Sequence, residues 1–159
     1  MSYRSFQVPV LILLTFFVWS CATPNTQDFK IPPGAKLTLK SIDIQASPSI
    51  SSRKLVPLDI IYAYDKASLR RLNGFTANGW FSVKETKLID WKGQIELVEL
   101  NVKPGEKQQI TSFPQRAEAP LAVVFFARYP NNAVHRYIIV GGSQITVQLE
   151  DALFIVGGK

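Results

Sequence analysis

The sequence predicts an all-β domain, an antiparallel two-sheet β-sandwich with one short helical insertion. Apolar or alternating segments of strand length recur along the chain, about eight or nine in all. Pro, Gly and Asn turn signals separate these segments. A single segment, roughly residues 66 to 73, has apolar residues at helical spacing instead. This pattern is typical of a sandwich, and a closed barrel is the competing architecture.

Residues 1–20 have the layout of a secretory signal peptide. Arg4 is the only charged residue before an apolar run from Val8 to Trp19. At about 12 residues this run is too short to span a bilayer core, which needs about 20 apolar residues. The only cysteine, Cys21, follows Ser20 directly, and this pattern resembles a bacterial lipobox, with cleavage before Cys21 and acylation of its thiol. Ordinary secretion and an uncleaved anchor are the alternatives.

Removal of the signal peptide leaves 139 residues with a net charge of +5. This length suits one domain, and acylation of Cys21 would leave no thiol for a disulfide, so the domain depends on its hydrophobic core. The cations are dispersed and not interleaved with aromatic residues, which argues against a nucleic-acid binder. They suit an anionic membrane or an acidic partner, or they solvate the strand faces.

Residues 21–35 are predicted to be a lipidated tether, because Thr, Pro, Asn, Gln and Lys offer no face to bury. The sandwich domain is then predicted over residues 36–157. Its first strand runs from Lys36 to Ala46, and its apolar residues change parity, so we expect a bulge near Lys40-Ser41 or a bend at a sheet edge. The next stretch is predicted to be a loop by composition: Ser47, Pro48, Ser49, Ile50, Ser51, Ser52, Arg53 and Lys54.

A strand from Leu58 to Tyr64 leads into the predicted helix. Asp65 can cap the start of this helix, and the dipeptide Asn73-Gly74 can end it. Two further strands are predicted, Trp80–Val83 and Gln94–Val102. The apolar residues of the second change parity, which suggests another bulge.

The last third of the chain contains the expected centre of the core. Residues 121–127 are seven consecutive apolar residues, typical of a strand covered on both faces. Before them, a turn at 103–106 precedes a strand at 108–112. After them, the strands 134–140 and 143–150 are joined by Gly141-Gly142 as a predicted hairpin, and 153–156 is a final strand.

No pattern predicts a catalytic or metal site. His135 is the only histidine and has no nucleophile motif beside it, and one histidine with one cysteine does not make a zinc site. Glu96 and Glu99 should lie on opposite strand faces, and Asp65 is better explained as a cap than as a partner of Asp59. We predict a non-enzyme without a cofactor, although the two carboxylates of a glycosidase can be remote in sequence.

An anchored sandwich without catalysis usually acts through its loops and free strand edges. The loop 47–54 is the most conspicuous candidate, and a plain solvated connection is the alternative. Several patterns occur in one order along most of the mature chain: Cys21, the Pro57-Leu58 strand with Tyr62 and Tyr64, the helical insertion at 69–75, the turn 103–106, the run 121–126 with Arg128, and the strand 144–149. In this order they resemble the TssJ (SciN) family, the outer-membrane lipoprotein of the type VI secretion trans-envelope complex.

The resemblance implies a transthyretin-like sandwich that is not an enzyme and binds the periplasmic domain of an inner-membrane partner of the TssM family. The loop that joins the first two strands, here 47–54, would be a main contact, with Ile50 as its apolar anchor and Arg53 and Lys54 steering an acidic patch. Ala22 after the cysteine favours the outer membrane by the enterobacterial sorting rule. A pilotin-like lipoprotein that escorts a secretin, or an envelope enzyme or inhibitor, are the alternative functions.

Overall fold

The computed structural model of the chain describes Ile31 and residues 37–50, 55–131 and 133–159. The predicted signal peptide, Cys21, most of the predicted tether and residues 51–54 of the predicted loop lie outside these ranges. The elements, in chain order, are β1 (Leu37–Ala46), β2 (Val56–Ala63), α1 (Lys66–Asn73), α2 (Ala77–Asp90), β3 (Ile95–Val102), β4 (Lys107–Ile110), β5 (Ala122–Ala127), β6 (Arg136–Ile139), β7 (Gly142–Leu149) and β8 (Phe154–Gly158).

These strands form two four-stranded sheets, which confirms the predicted sandwich. One sheet has the order β4-β1-β7-β8 and the other β3-β2-β5-β6. Strand pairs are antiparallel except for β1 and β7, which run parallel. Between β1 and β7 the chain forms all four strands of the second sheet and the edge strand β4, and β7 then lies beside β1 in the same direction. The expectation of a purely antiparallel sandwich is therefore corrected at this pair.

The sheet β3-β2-β5-β6 is covered on both of its faces. Ile60 and Phe125 point into the core between the sheets, whereas Ile61 and Phe126 point into a second core under the helices. This explains the continuous apolar run of β5, predicted to be buried on both faces. It also corrects the bulge expected in β3, because the register with β2 is continuous and both parities of β3 meet apolar neighbours. The bulge expected in β1 is confirmed by a register shift between Leu37 and Ser41.

The helical layer is larger than the sequence predicted. Helix α1 is confirmed, and Asp65 caps it by accepting from the backbone N–H groups of Ala67 and Ser68 at 2.8 Å each. The strand predicted at Trp80–Val83 is wrong, because these residues lie in α2. Thr76 starts this helix by accepting from Gly79 N–H at 3.1 Å, and Trp80 is fully buried and stacked on Phe126 with ring centroids 5.5 Å apart.

The connection at Gly141 and Gly142 is not the predicted hairpin, because β6 and β7 belong to different sheets. Gly142 has a φ of +103°, and a Cβ there would lie 2.8 Å from the carbonyl oxygen of Lys159. Only glycine fits this crossing without strain. The predicted turn at 103–106 does form, with Glu106 N–H donating to Lys103 O at 3.0 Å.

In the described part of the chain, neither helix combines the length and the apolar character needed to cross a bilayer.

Candidate interaction surface at the loop end

The four connections β1–β2, β3–β4, β5–β6 and β7–β8 all lie at one end of the sandwich, which we call the loop end. The strand registers establish this: Val56 pairs with Val102, and Leu58 with Ala127, so three connections meet at the start of β2. Ala46 pairs with Leu149, which brings the β7–β8 connection to the same place. The described part of the loop end therefore comprises residues 47–50, 55, 103–106, 128–131, 133–135 and 150–153.

The chain enters the sandwich at the opposite end, which we call the tether end. Leu37 begins β1 there, and the ten residues of β1 span about 30 Å at the usual rise of a strand. Ile31, within the predicted tether, packs against the apolar cluster under the helices. Leu37, the first residue of β1, thus lies far from the loop end.

The described part of the loop 47–54 is tied to its neighbours through Ser47. Ser47 N–H donates to Leu149 O at 2.8 Å, and Gly105 N–H donates to Ser47 O at 3.4 Å. The Ser47 and Ser49 hydroxyls bond to each other at 2.7 Å. Pro48 and Ser49 are exposed. The backbone is thus positioned by β7 and the 103–106 turn while these two side chains face solvent.

Ile50 does not have the role that the sequence suggested. Its side chain is 5% exposed and belongs to the core between the sheets, so it fastens the loop to the domain. An apolar residue between serines looks like an exposed contact in the sequence, because only the fold shows where the loop turns inward. Ser51, Ser52, Arg53 and Lys54 lie outside the described residues.

Exposed apolar side chains are concentrated at or beside the loop end. Six large apolar residues are exposed in the described ranges: Leu55, Ile89, Val134, Tyr137, Leu153 and Ile155. Leu55, Val134 and Leu153, each about half exposed, belong to the loop end, and Tyr137 and Ile155 lie on the adjoining edge formed by β6 and β8. Ile89, on α2, is the exception. Sequence reasoning missed this surface, since it assigned Val134 and Leu153 to strands and not to loops.

A small polar network holds two of these loops together. Asn131 Nδ2 donates to Ala152 O at 2.9 Å, and the Tyr129 hydroxyl donates to Leu153 O at 2.9 Å. Asn131 Oδ1 bonds His135 Nε2, and the His135 ring lies against Tyr129 with centroids 4.7 Å apart. Burial lowers the pKa of His135 below its ordinary value. The histidine thus braces the loop end, and no serine, threonine or cysteine appears among these contacts.

The acidic residues considered for catalysis are engaged in contacts within the domain. Asp59 is buried and accepts from Trp80 Nε1 at 2.8 Å and from Lys84 Nζ at 3.1 Å. Burial raises the pKa of Asp59, and the bonds from Trp80 and Lys84 partly oppose this. Glu99 also contacts Lys84, while Glu96 pairs with Arg116 at 3.4 Å. No cluster of three or more His, Cys, Asp or Glu residues within the described ranges could hold a metal ion.

A groove of about 720 Å³ opens at the tether end, between the start of α1, the α2–β3 turn and residues 116–118. Its two arginines are already held against aromatic rings. Arg116 lies 4.1 Å from the Tyr64 ring centroid and donates to Gly93 O at 3.0 Å, and Arg71 lies 5.5 Å from the Trp91 ring. The loop end, with its exposed apolar residues, is therefore the stronger candidate for function.

Comparison with protein-family models found no match. Comparison with curated proteins found none either.

The described chain is a two-sheet β-sandwich with a helical layer, and solved type VI secretion lipoproteins have the same fold. The T6SS lipoprotein TssJ1 from Pseudomonas aeruginosa aligns with a TM-score of 0.58 and 14% identity over 79% of this chain and 96% of that one. Lip from Serratia marcescens, a membrane-bound component of the type VI secretion system, aligns with a TM-score of 0.53 and 10% identity, over 75% of this chain and 95% of that one. A chain from the structure of the T6SS protein TssM C-terminal domain from EAEC aligns with a TM-score of 0.51 and 12% identity, over 75% of this chain and 97% of that one.

The chain therefore resembles the TssJ family in fold, as the order of its sequence patterns predicted. At sequence identities of 10–14%, the similarity between this chain and these structures is a similarity of fold.

Proposed function

We propose that this protein is a lipoprotein anchored in the outer membrane that serves as a structural, non-catalytic component of a type VI secretion trans-envelope complex. The likeness in fold to TssJ1 and Lip supports this proposal. The observation that carries it is the separation of the tether end from the loop end by the length of β1, about 30 Å. A protein that links a membrane to a partner needs these two attachments on opposite ends.

The proposed mechanism is mechanical. After removal of residues 1–20, Cys21 would carry the lipid, and residues 21–35 would connect it to the sandwich of residues 36–157. The loop end would then face away from the membrane, toward the periplasmic domain of a TssM-like inner-membrane protein. Multiple acyl chains give stable anchoring where one does not. The sandwich between the two attachments would hold the secretion channel across the periplasm.

At the loop end, we propose that Leu55, Val134 and Leu153 provide the apolar contacts first assigned to Ile50. Pro48 and Ser49 would add a polar rim, together with Ser47 and the undescribed residues Ser51 and Ser52. Arg53 and Lys54 would steer an acidic patch of the partner, which affects association rates more than affinity. Central apolar contacts with a polar rim are the usual anatomy of a protein interface.

The test replaces an exposed apolar residue of the loop end with a charge. We expect Leu153→Asp to weaken binding of the partner's periplasmic domain by about tenfold or more, since loss of a central hot-spot contact costs about 2 kcal/mol or more. Ile89→Asp is the matched control, because Ile89 is 78% exposed but lies on α2, away from the loop end. Deletion of residues 48–53 is a poorer test, because it removes Ile50 from the core.

Titration of the purified partner domain against each full mature chain measures the affinities. Wild-type affinity in Leu153→Asp, with both variants folded, would exclude this residue from the interface. Equal weakening in Leu153→Asp and Ile89→Asp would point to a general effect of charge.

A further inference from the structure

Strand β8 is an edge strand without the usual protection against pairing. Exposed edges are normally blocked by charges, proline or bulges. In the described sheets the other edges carry such residues: β4 has Lys107, β3 has Glu96 and Glu99, and β6 has Arg136. Strand β8 reads Phe-Ile-Val-Gly-Gly, with neither a charge nor a proline. An extended chain could therefore pair with β8 without burying a charged side chain of β8, and no proline removes a backbone N–H donor from this strand.

The backbone of β8 offers hydrogen-bonding groups to such a chain. Positions opposite each other in an antiparallel pair alternate between those that exchange hydrogen bonds and those that do not. Lys159 and Gln144 exchange both bonds, at 2.9 and 3.2 Å, and Glu150 N–H donates to Leu153 O at 2.9 Å. By this alternation Ile155 and Gly157 also bond to β7. The N–H and C=O groups of Phe154, Val156 and Gly158 consequently point away from β7. Gly158 is exposed, whereas Phe154 and Val156 are 2% and 9% exposed, so an added strand would meet the outward groups first at Gly158.

Apolar side chains flank this edge on both faces. Tyr137, 37% exposed, places its ring against Phe154 with centroids 5.0 Å apart, on the face toward the core. Ile155, 48% exposed, lies on the outer face of the sheet, and Leu153 precedes the strand. Side chains of an added strand would alternate between Tyr137 and Ile155, so both of its faces would gain apolar contact.

We propose that the β8 edge accepts an extended segment of the partner protein as a fifth strand of the sheet β4-β1-β7-β8, with apolar residues on the face toward Tyr137. This inference rests on the proposed function, since the partner is the protein held at the loop end. Strand β8 begins at that end, at the 150–153 turn. A segment leaving the loop end can thus run directly along β8, and the first contact raises the effective concentration for the second.

The dimensions favour this occupant over a second copy of the chain. The five residues of β8 span about 17 Å, so two edges meeting alone would bury far less than the roughly 1,200 Å² of a stable interface. A short strand addition is sufficient when it supplements the contact at the loop end.

Two variants and a control test the proposal in the full mature chain, with the partner's periplasmic domain as the probe. Gly158→Pro removes one outward N–H while leaving the bonds to β7, and the nearest atoms to a Cβ there are 3.7 Å away. Ile155→Lys places a charge on the edge. Thr146→Lys places the same charge on the same face, one strand further in. We expect about tenfold weaker binding for the first two and wild-type binding for the control.

Residue-resolved amide exchange provides the direct measurement. Partner binding should slow exchange of the Phe154, Val156 and Gly158 amides by at least about tenfold. A partner that binds while these amides stay unprotected, and that binds Gly158→Pro and wild type equally, overturns the strand addition but leaves the proposed function standing. Protection that grows with the concentration of this protein alone would assign the edge to a second copy. A partner domain that fails to bind wild type overturns both proposals.

Discussion

Two buried tyrosines show how the same hydroxyl can have opposite effects on stability. The Tyr62 hydroxyl is buried and has no hydrogen-bond partner among the described residues, whereas the Tyr129 hydroxyl donates to Leu153 O at 2.9 Å. Burial raises the pKa of both groups, so both stay protonated. An unpaired buried donor is costly, and a paired one stabilises.

We therefore expect Tyr62→Phe to change the free energy of unfolding by between zero and about +1 kcal/mol. Tyr129→Phe should lower the free energy of unfolding by about 1 kcal/mol. Urea unfolding of the two variants measures the difference. Equal destabilisation by both changes would indicate that the Tyr62 hydroxyl has a partner.

His135 makes the stability of the loop end depend on pH. Burial lowers its pKa below the ordinary value of 6.5, so the unfolded chain binds the proton more readily. Its contribution is complete above pH 6.5 and is lost as the pH falls from there toward the folded-state pKa. His135 also has a φ of +41°, which Asn tolerates well. In this pH window the free energy of unfolding of wild type should fall partly because His135 becomes protonated. We expect His135→Asn to remove this contribution of His135, as measured by denaturant unfolding at several pH values. An unchanged pH profile would assign the loss to other groups.

At the scale of elements, the polar attachment of α2 to the sheet depends on Trp80 and on one buried ion pair, beside the apolar packing of the helix. Trp80 stacks on Phe126 and donates to Asp59, which also accepts from Lys84. We expect Trp80→Phe to retain most of the packing but to lower the free energy of unfolding by about 1–3 kcal/mol, because Asp59 loses a donor. Ile89→Ala on the same helix should change it by no more than about 0.5 kcal/mol. Equal effects in denaturant titrations would mean that the bond to Asp59 contributes nothing.

The elements that the sequence predicted correctly are those specified by local pattern. The cap at Asp65, the turn at Gly105 and the apolar run of β5 each follow from a few neighbouring residues. Helix α2 was missed because Trp80 and Val83 favour strands locally, while its position is set by the distant residues Asp59 and Phe126. Tertiary packing overrides propensity in such segments.

At the scale of the whole molecule, the sequence predicted a sandwich but not the arrangement of its surfaces. Leu55, Val134 and Leu153 are far apart in the chain, and only the registers of the strand pairs bring them to one end. Ile50 shows the reverse case, because a residue that looked exposed is buried by the same topology. Patterns along the sequence could predict that residues 47–54 form a loop. They could not predict which other loops lie beside it in the folded domain.

Under the proposed function, the opposite placement of the two ends makes membrane attachment and partner binding separable. Cys21 precedes Ile31 by ten residues, a reach of at most about 34 Å, and the loop end lies about 30 Å beyond the tether end. We expect Cys21→Ser to move the protein from the membrane fraction to the soluble periplasmic fraction. Its affinity for the partner's periplasmic domain in solution should stay unchanged, because the proposed contact residues lie in the loop end and not beside Cys21. Leu153→Asp should do the opposite, with normal fractionation and weakened binding. Secretion should fail in both variants, because a link broken at either end cannot connect the membrane to the partner.

Loss of partner affinity in Cys21→Ser, measured with folded protein, would show that the lipid or the residues beside it take part in binding. This result would contradict the assignment of membrane attachment and partner binding to separate ends.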